Sequence, residues 1–397
     1  MIEIEARLSE LRALGLHHRI RLVSGPQGPH VVLDGKPVLL LCSDNCLGMA
    51  DHPRVREAAA EAAMRWGVGA GASRLASGTM TVHRRLEERL ASFLRRDSAL
   101  LFGSAFGAGA GIIAALARPG DVVFSDERNH ASLIDGCRLS RAEVFVYDHL
   151  DTEHLAWGLA QNHGRAALIA TEAVFSLDGA VAPLEDIVTL AQRHRVRLLV
   201  DESHGLGSLG PGGRGALAEH GLEDQVDVIV GTLGEALGSY GAFAACDRVM
   251  TQYLLHAART LAFSTAPAPP AVAGALAALK LLDERPRLVE KLRLNSAALR
   301  DALEAEGFDD LGGSRTHILA FAVGEPEPAL KMCEAALTRG VFAQAIVPPA
   351  IPSAESCVRL AVMASHRTEE LRAAARVLAQ AARATGFDPT ATVVFDA

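Results

Sequence analysis

The stretch "VIVGTLGEALGSYGAF", residues 228–243, is an apolar run that stops at Gly231-Thr232 and gives way to a loop of small residues carrying one carboxylate, Glu235. A short run of Val and Ile without polar alternation reads as a strand buried on both faces. Five more such runs lie upstream: "ALLFGS" (99–104), "DVVFSD" (121–126), "AEVFVYD" (142–148), "AALIATEAVF" (166–175) and "VRLLVDE" (196–202). Helical patterns fall between them, for example Arg84–Leu94 and Leu184–His194. Strands separated by helices of this length predict βαβ units, and so an α/β fold with a mostly parallel sheet and helices on both faces. Downstream, the Pro-rich "STAPAPPAVAGA" (264–275) punctuates the chain. A long helical region and then "HILAFAV" and "SCVRLAVMA" predict a smaller α+β domain. The expected division is an N-terminal segment 1–50, a large α/β domain 51–275 and a small C-terminal domain 276–397.

Composition narrows the function classes. At 397 residues the chain exceeds one ordinary core, and 49% hydrophobic with 22% charged residues fits a well-buried globular protein. A net charge of -8 without a basic stripe argues against nucleic acid. No run of 18 apolar residues occurs, and "MIEIEARLSELRALGL" is charged and amphipathic, unlike a signal peptide. The six cysteines have no CxxC spacing, so neither zinc nor a disulfide framework is expected. The expectation is a cytoplasmic protein with no membrane or nucleic-acid partner.

In open parallel sheets, ligand groups gather where strand C-terminal ends meet helix N-termini. Ser104, Asp126, Ser176, Asp201, His204 and Thr232 fall at such ends, and "FGSAFGAGAGIIAAL" is a Gly-rich loop opening a helix. That loop suits an anion, or equally a close helix–sheet contact. His17, His18, His83 and His154 read as surface or structural residues.

Taken in order, "SDNCLGMADHPRV", "GVGAGASRLASGTMTVHRRLEERLASFL", "SDERNHASLIDG", "TEAVFSLDGAVAPL", "VDESHGLGSLGPGGRG" and "FSTAPAPP" resemble the α-oxoamine synthases. These are fold-type I pyridoxal-phosphate (PLP) enzymes that condense an amino acid with an acyl-CoA. The resemblance implies that His130 stacks on the cofactor ring, that Asp201 pairs with its pyridine nitrogen, and that His204 and Ser176 lie near its phenolic oxygen. It implies a phosphate cradle of Thr232, the loop amides at Ala105 and Phe106, and Thr265 from a neighbouring subunit. A homodimer with a shared site follows. Arg359 would bind the substrate carboxylate, a task that suits a planar guanidinium.

The chain also departs from the pattern. Glu235 stands where the family has its Schiff-base lysine, Asp44 and Cys46 replace Asn and Tyr, and Gly109 replaces Asn in the phosphate loop. Glutamate forms no imine, so four readings arise: a synthase disabled by a lysine-to-glutamate change, a non-catalytic partner subunit, a binding protein, and an enzyme that has abandoned PLP. The last is placed first. With no ring between them, Glu235 and His130 would face each other as two acid/base groups, as a 1,1-proton transfer requires. The expectation is therefore a cofactor-independent amino-acid racemase, with PLP bound non-covalently as the alternative. Arg359, Asp44, Ser176, Asp201, His204, Thr232 and Thr265 would bind a substrate, a dicarboxylic amino acid such as glutamate.

Overall fold

A computed structural model describes residues 2–14, 19–308, 311 and 314–390. His17 and His18 lie outside the described residues. The chain forms two compact units, one of Met1–Cys46, Leu177–Ala180 and Lys291–Ala397, the other of Leu47–Ser176 and Val181–Glu290. No described helix is long and apolar enough to cross a membrane.

The larger unit is built on seven strands: β1 (Ser98–Phe102), β2 (Val122–Asp126), β3 (Glu143–Tyr147), β4 (Ala166–Glu172), β5 (Arg197–Asp201), β6 (Val228–Thr232) and β7 (Ala242–Cys246). Their order in the sheet is β1-β7-β6-β5-β4-β2-β3. Only β7 runs antiparallel to its neighbours, β1 and β6. Every residue of β2, β6 and β7 is buried, so both faces of the sheet are covered there. This is the doubly wound architecture the Val/Ile runs predict, with one strand more than expected. The extra strand is "AFAAC", three alanines in five residues with no β-branched side chain. It carries no strand signal of its own, and burial between two neighbours specifies it.

Two helices place the loops that matter. The helix α1 (Ala105–Leu116) is capped by Ser104, whose Oγ accepts from the Gly107 amide at 3.1 Å. The helix α2 (Ala131–Ser140) packs closely against α1. A Cβ on Gly136 would come within 3.0 Å of Ala110 Cα and Ile113 Cβ, so the small residues of both helices set that spacing.

In the smaller unit, Val23–Ser24, His30–Leu33 and Lys36–Leu40 form an antiparallel meander, with Val341–Phe342 added in parallel. A second, antiparallel sheet has the order Ile318–Gly324, Ser356–Ala361, Gln344–Ile346. The helix Thr368–Ala384 buries Leu371, Ala374, Ala375 and Leu378, the stripe expected of a helix with one apolar face.

Candidate active site

The C-terminal ends of β4, β5 and β6 present Glu172, Asp201 and Thr232, all buried. Glu172 and Asp201 are direct neighbours across the β4–β5 ladder, which sets two carboxylates side by side in the interior. Such a pair needs hydrogen bonds or a proton. Asp201 Oδ1 accepts from the Ser203 amide at 2.9 Å. Glu172 accepts from the His130 amide at 2.6 Å and from the Ser176 amide at 3.3 Å. Burial, and then the Asp201 charge, push the Glu172 carboxyl up to about 8, against the opposite pull of His204 and the two amides.

His130 caps α2. Its Nδ1 accepts from the Ser132 amide at 3.2 Å and lies 2.8 Å from Ser132 Oγ. With Nδ1 accepting from an amide, the neutral ring carries its proton on Nε2. The ring edge also meets Phe106 of α1, centroid to centroid 6.4 Å. Backbone bonds to Glu172 therefore hold together His130 and Ser176, two of the residues predicted from sequence.

After β6, the chain turns back into β7 through a hydrogen-bonded loop. The Leu233 amide donates to the Gly241 carbonyl, the Ser239 amide to Leu233, and the Gly238 amide to Glu235. Thr232 Oγ1 accepts from the Gly234 amide at 3.0 Å and donates to the Gly241 carbonyl at 3.3 Å, so the hydroxyl braces the turn. Gly238 is required there, since its φ is +57° and a Cβ would collide with the Met49–Ala50 backbone. The loop sets Glu235 with Oε2 2.9 Å from His204 Nδ1, the side chains being 21% and 9% exposed. Glu202, beside Asp201, points elsewhere: it accepts from the Ala216 and Leu217 amides and closes the loop between them.

Thr265 is exposed on this unit and bridges to Ser73, with the Ala266 amide donating to the Ala72 carbonyl. His83 is fully buried between the Met80 amide and the Pro267 carbonyl, a structural role as expected. In the smaller unit, Arg359 lies buried in the strand Ser356–Ala361, its guanidinium 3.0 Å from Asp44 Oδ1. The two residues expected to hold a substrate carboxylate thus already neutralise each other. Cys46 is buried, its carbonyl accepting from the Ala364 amide.

Sequence reasoning missed Glu172 and its brace Asn129. The Asn129 amide group donates to Ser125 Oγ and the Ala170 carbonyl, while its carbonyl accepts from the Glu172 amide. The signal was available, because Glu172 is a polar residue at a strand's C-terminal end, the same mark that singled out Asp201.

Residues 36–378 match the aminotransferase class I and II family. The 8-amino-7-oxononanoate synthase of Citrifermentans bemidjiense is 44% identical over 382 residues, 96% of this chain and 98% of that protein. That of Geobacter metallireducens is 45% identical over 383 residues, 96% of this chain and 97% of that protein. Among solved structures, a lysine-to-alanine form of S. paucimobilis serine palmitoyltransferase with a bound PLP–myriocin aldimine matches at a TM-score of 0.91. It is 31% identical, and the match covers 97% of this chain and 98% of that one.

These findings overturn the cofactor-independent racemase and, with it, the glutamate substrate and the expected absence of a cofactor. Relatives along nearly the whole chain are synthases, and a structural neighbour holds PLP. The geometry supplies the physical reason. Glu235 has His204 as its neighbour and His130 has Ser132, and the two contacts belong to different elements. In sequence, architecture and relatives alike, the chain belongs to the class I and II aminotransferase family, within its α-oxoamine synthases.

Proposed function

We propose that the chain carries the pocket of a PLP-dependent acyl-CoA:amino-acid C-acyltransferase of the 8-amino-7-oxononanoate synthase kind, with Glu235 in place of the cofactor-anchoring lysine. The cofactor is then held without a covalent bond, and condensation is disabled. The observation that carries this reading is the set of buried Glu172, Asp201 and His204 at the strand ends, with His130 and Ser176 tied to Glu172 through their amides and His204 in contact with the carboxylate at position 235.

The residues suit most of the group. Asp201, buried at a strand end, would pair with a protonated pyridine nitrogen. The amides opening α1 and the Thr232 hydroxyl would receive a phosphate. His130, fixed by Ser132 and by its amide bond to Glu172, would cover one face of the ring. The carboxylate of Glu235 does not suit an aldehyde anchor. When bound, PLP supplies the electron sink that makes an amino acid's α-carbon reactive. Arg359, from its buried strand, would meet the amino acid's carboxylate in competition with Asp44.

We also infer a homodimer. Thr265 is exposed, and the large side chains Leu75, Phe106 and Phe263 are 52%, 47% and 76% exposed. Thr260, on the same short helical turn as Phe263, donates to the Gly107 carbonyl beside Phe106, which brings those two segments together. A second copy would cover them. Light scattering after size exclusion should give twice the chain mass, and a monomer would count against the shared site.

The decisive experiment is dialysis with PLP, followed by absorbance, on the unaltered protein and on Glu235→Lys. The unaltered protein should retain cofactor stoichiometrically without an imine band. The variant should gain that band and condense alanine with a seven-carbon dicarboxyl-CoA, the pair from which an 8-amino-7-oxononanoate would be assembled. No retention by either protein would sink the reading and favour a partner subunit with no cofactor of its own.

A further inference from the structure

We infer that this pocket selects the amine form of its cofactor, pyridoxamine 5′-phosphate, over the aldehyde form, and that Glu235 is the residue that selects it. The inference rests on the reading above, in which residue 235 faces the cofactor's 4-substituent. Three carboxylates, Glu172, Asp201 and Glu235, lie at the strand ends and the loop that follows β6. Among the described residues, the ion-pair partner of Glu235 is His204, on Oε2, and Oε1 is the oxygen left for an incoming cation. No arginine or lysine is paired with Glu235 among those residues.

The two cofactor forms share the pyridine nitrogen, the phenolic oxygen, the methyl group and the phosphate. Contacts to Asp201, Thr232, the α1 amides and His130 are therefore common to both and cancel in a comparison. What differs is the substituent at one ring carbon. The aldehyde offers a carbonyl oxygen, an acceptor that a carboxylate repels. The aminomethyl group offers a cation with three N–H donors, the complement of a carboxylate. Glu235 is only 21% exposed, so the attraction is less screened than at the surface. A lysine at this position would act in the opposite sense, capturing the aldehyde and repelling the ammonium. One residue thus decides which form the pocket holds.

The test is a binding comparison that needs no turnover. Protein stripped of cofactor is titrated calorimetrically with pyridoxamine 5′-phosphate, with PLP and with 4-deoxypyridoxine 5′-phosphate, whose methyl group gives the baseline. A charge-assisted contact of this kind should make the amine form bind roughly 10- to 100-fold more tightly than the baseline, with PLP at or below it. Glu235→Gln and Glu235→Ala, each checked for an unchanged circular dichroism spectrum and melting temperature, should both bring the ratio of amine to baseline near one. Glu235→Lys should invert the preference. If all three compounds bind the unaltered protein alike, or if the preference survives in both neutral variants, the inference falls while the cofactor pocket stands. If none binds, the pocket reading falls and takes the inference with it.

Discussion

Replacing Glu172 by Gln should change stability by an amount that depends on pH, with a sign fixed by the structure. Glu172 is 3% exposed and lies beside Asp201, and its carboxyl is pushed up to about 8 from an ordinary value of 4.5. In the unfolded chain it ionises near its ordinary value; in the folded chain it keeps its proton until the pH approaches 8. Between those limits unfolding releases a proton. The stability this group contributes is full below the lower limit and is lost as pH rises through the upper one. At about 1.4 kcal/mol per pH unit, the full window amounts to a few kcal/mol. Glutamine has the shape of the protonated acid and no charge to lose. The variant should lie within about 1 kcal/mol of the parent at pH 5, since it retains one acceptor oxygen. At pH 9 it should be the more stable protein by a few kcal/mol. Guanidinium unfolding at fixed salt from pH 5 to 9, followed by circular dichroism, gives the difference directly. Glu202, pushed up to about 7 mainly by burial, is present in both proteins and cancels. A difference that stays constant across this range would refute the buried, proton-holding role assigned to Glu172.

Asp44→Asn should tighten binding of an amino-acid carboxylate roughly 3- to 10-fold by calorimetry, because it frees the buried Arg359 from its resident counter-charge. The gain is modest because Asp44 is 40% exposed and its pairing is already screened by water. Gly111→Ala should cost about 1–3 kcal/mol in unfolding experiments, since its Cβ would meet Thr260 Oγ1 well inside contact distance. Adding Thr260→Ala should recover part of that loss, and strictly additive costs would mean the two sites do not touch.

The sheet was legible because parallel strands buried on both faces must be written in Val, Ile and Leu, and six of the seven were. The seventh, Ala242–Cys246, has too little side chain to announce itself and is specified by its neighbours. Polar residues such as Asp201 and Thr232 stand out at strand ends in the sequence, whereas Glu172, marked in the same way, was passed over and the pairings could not be read. That Glu235 meets His204 depends on how a nine-residue return, Leu233–Gly241, folds back on itself, and its hydrogen bonds are set by two glycines with positive φ. The expectation that the cofactor had been abandoned gave one residue too much weight. The amides opening α1, the buried Asp201 and the braced Thr232 are in place whatever residue stands at position 235, and relatives along nearly the whole chain are synthases.

Whether those departures are damage or adaptation can be argued from how they pack. A side chain at Gly109 would bring its Cβ to 2.9 Å from Ser132 Oγ and 3.1 Å from Leu133 Cδ2. Ser132 is the residue whose amide and hydroxyl hold His130 Nδ1. The asparagine of the family pattern could enter here only by displacing the group that orients the histidine. The missing side chain at Gly109 and the His130–Ser132 contact therefore form one arrangement, in which α2 sits close on α1 and Ser132 holds the imidazole. Asp44 likewise does more than lack an amide, because it gives Arg359 a counter-charge 3.0 Å away. Glu235 in turn has an imidazole at 2.9 Å. Random loss in a discarded site leaves buried charges unpaired and cavities unfilled, at a cost of several kcal/mol each. Here Gly109, Asp44 and Glu235 each sit against a group that fits them, Ser132, Arg359 and His204 in turn, so none of the three leaves a void or an isolated charge.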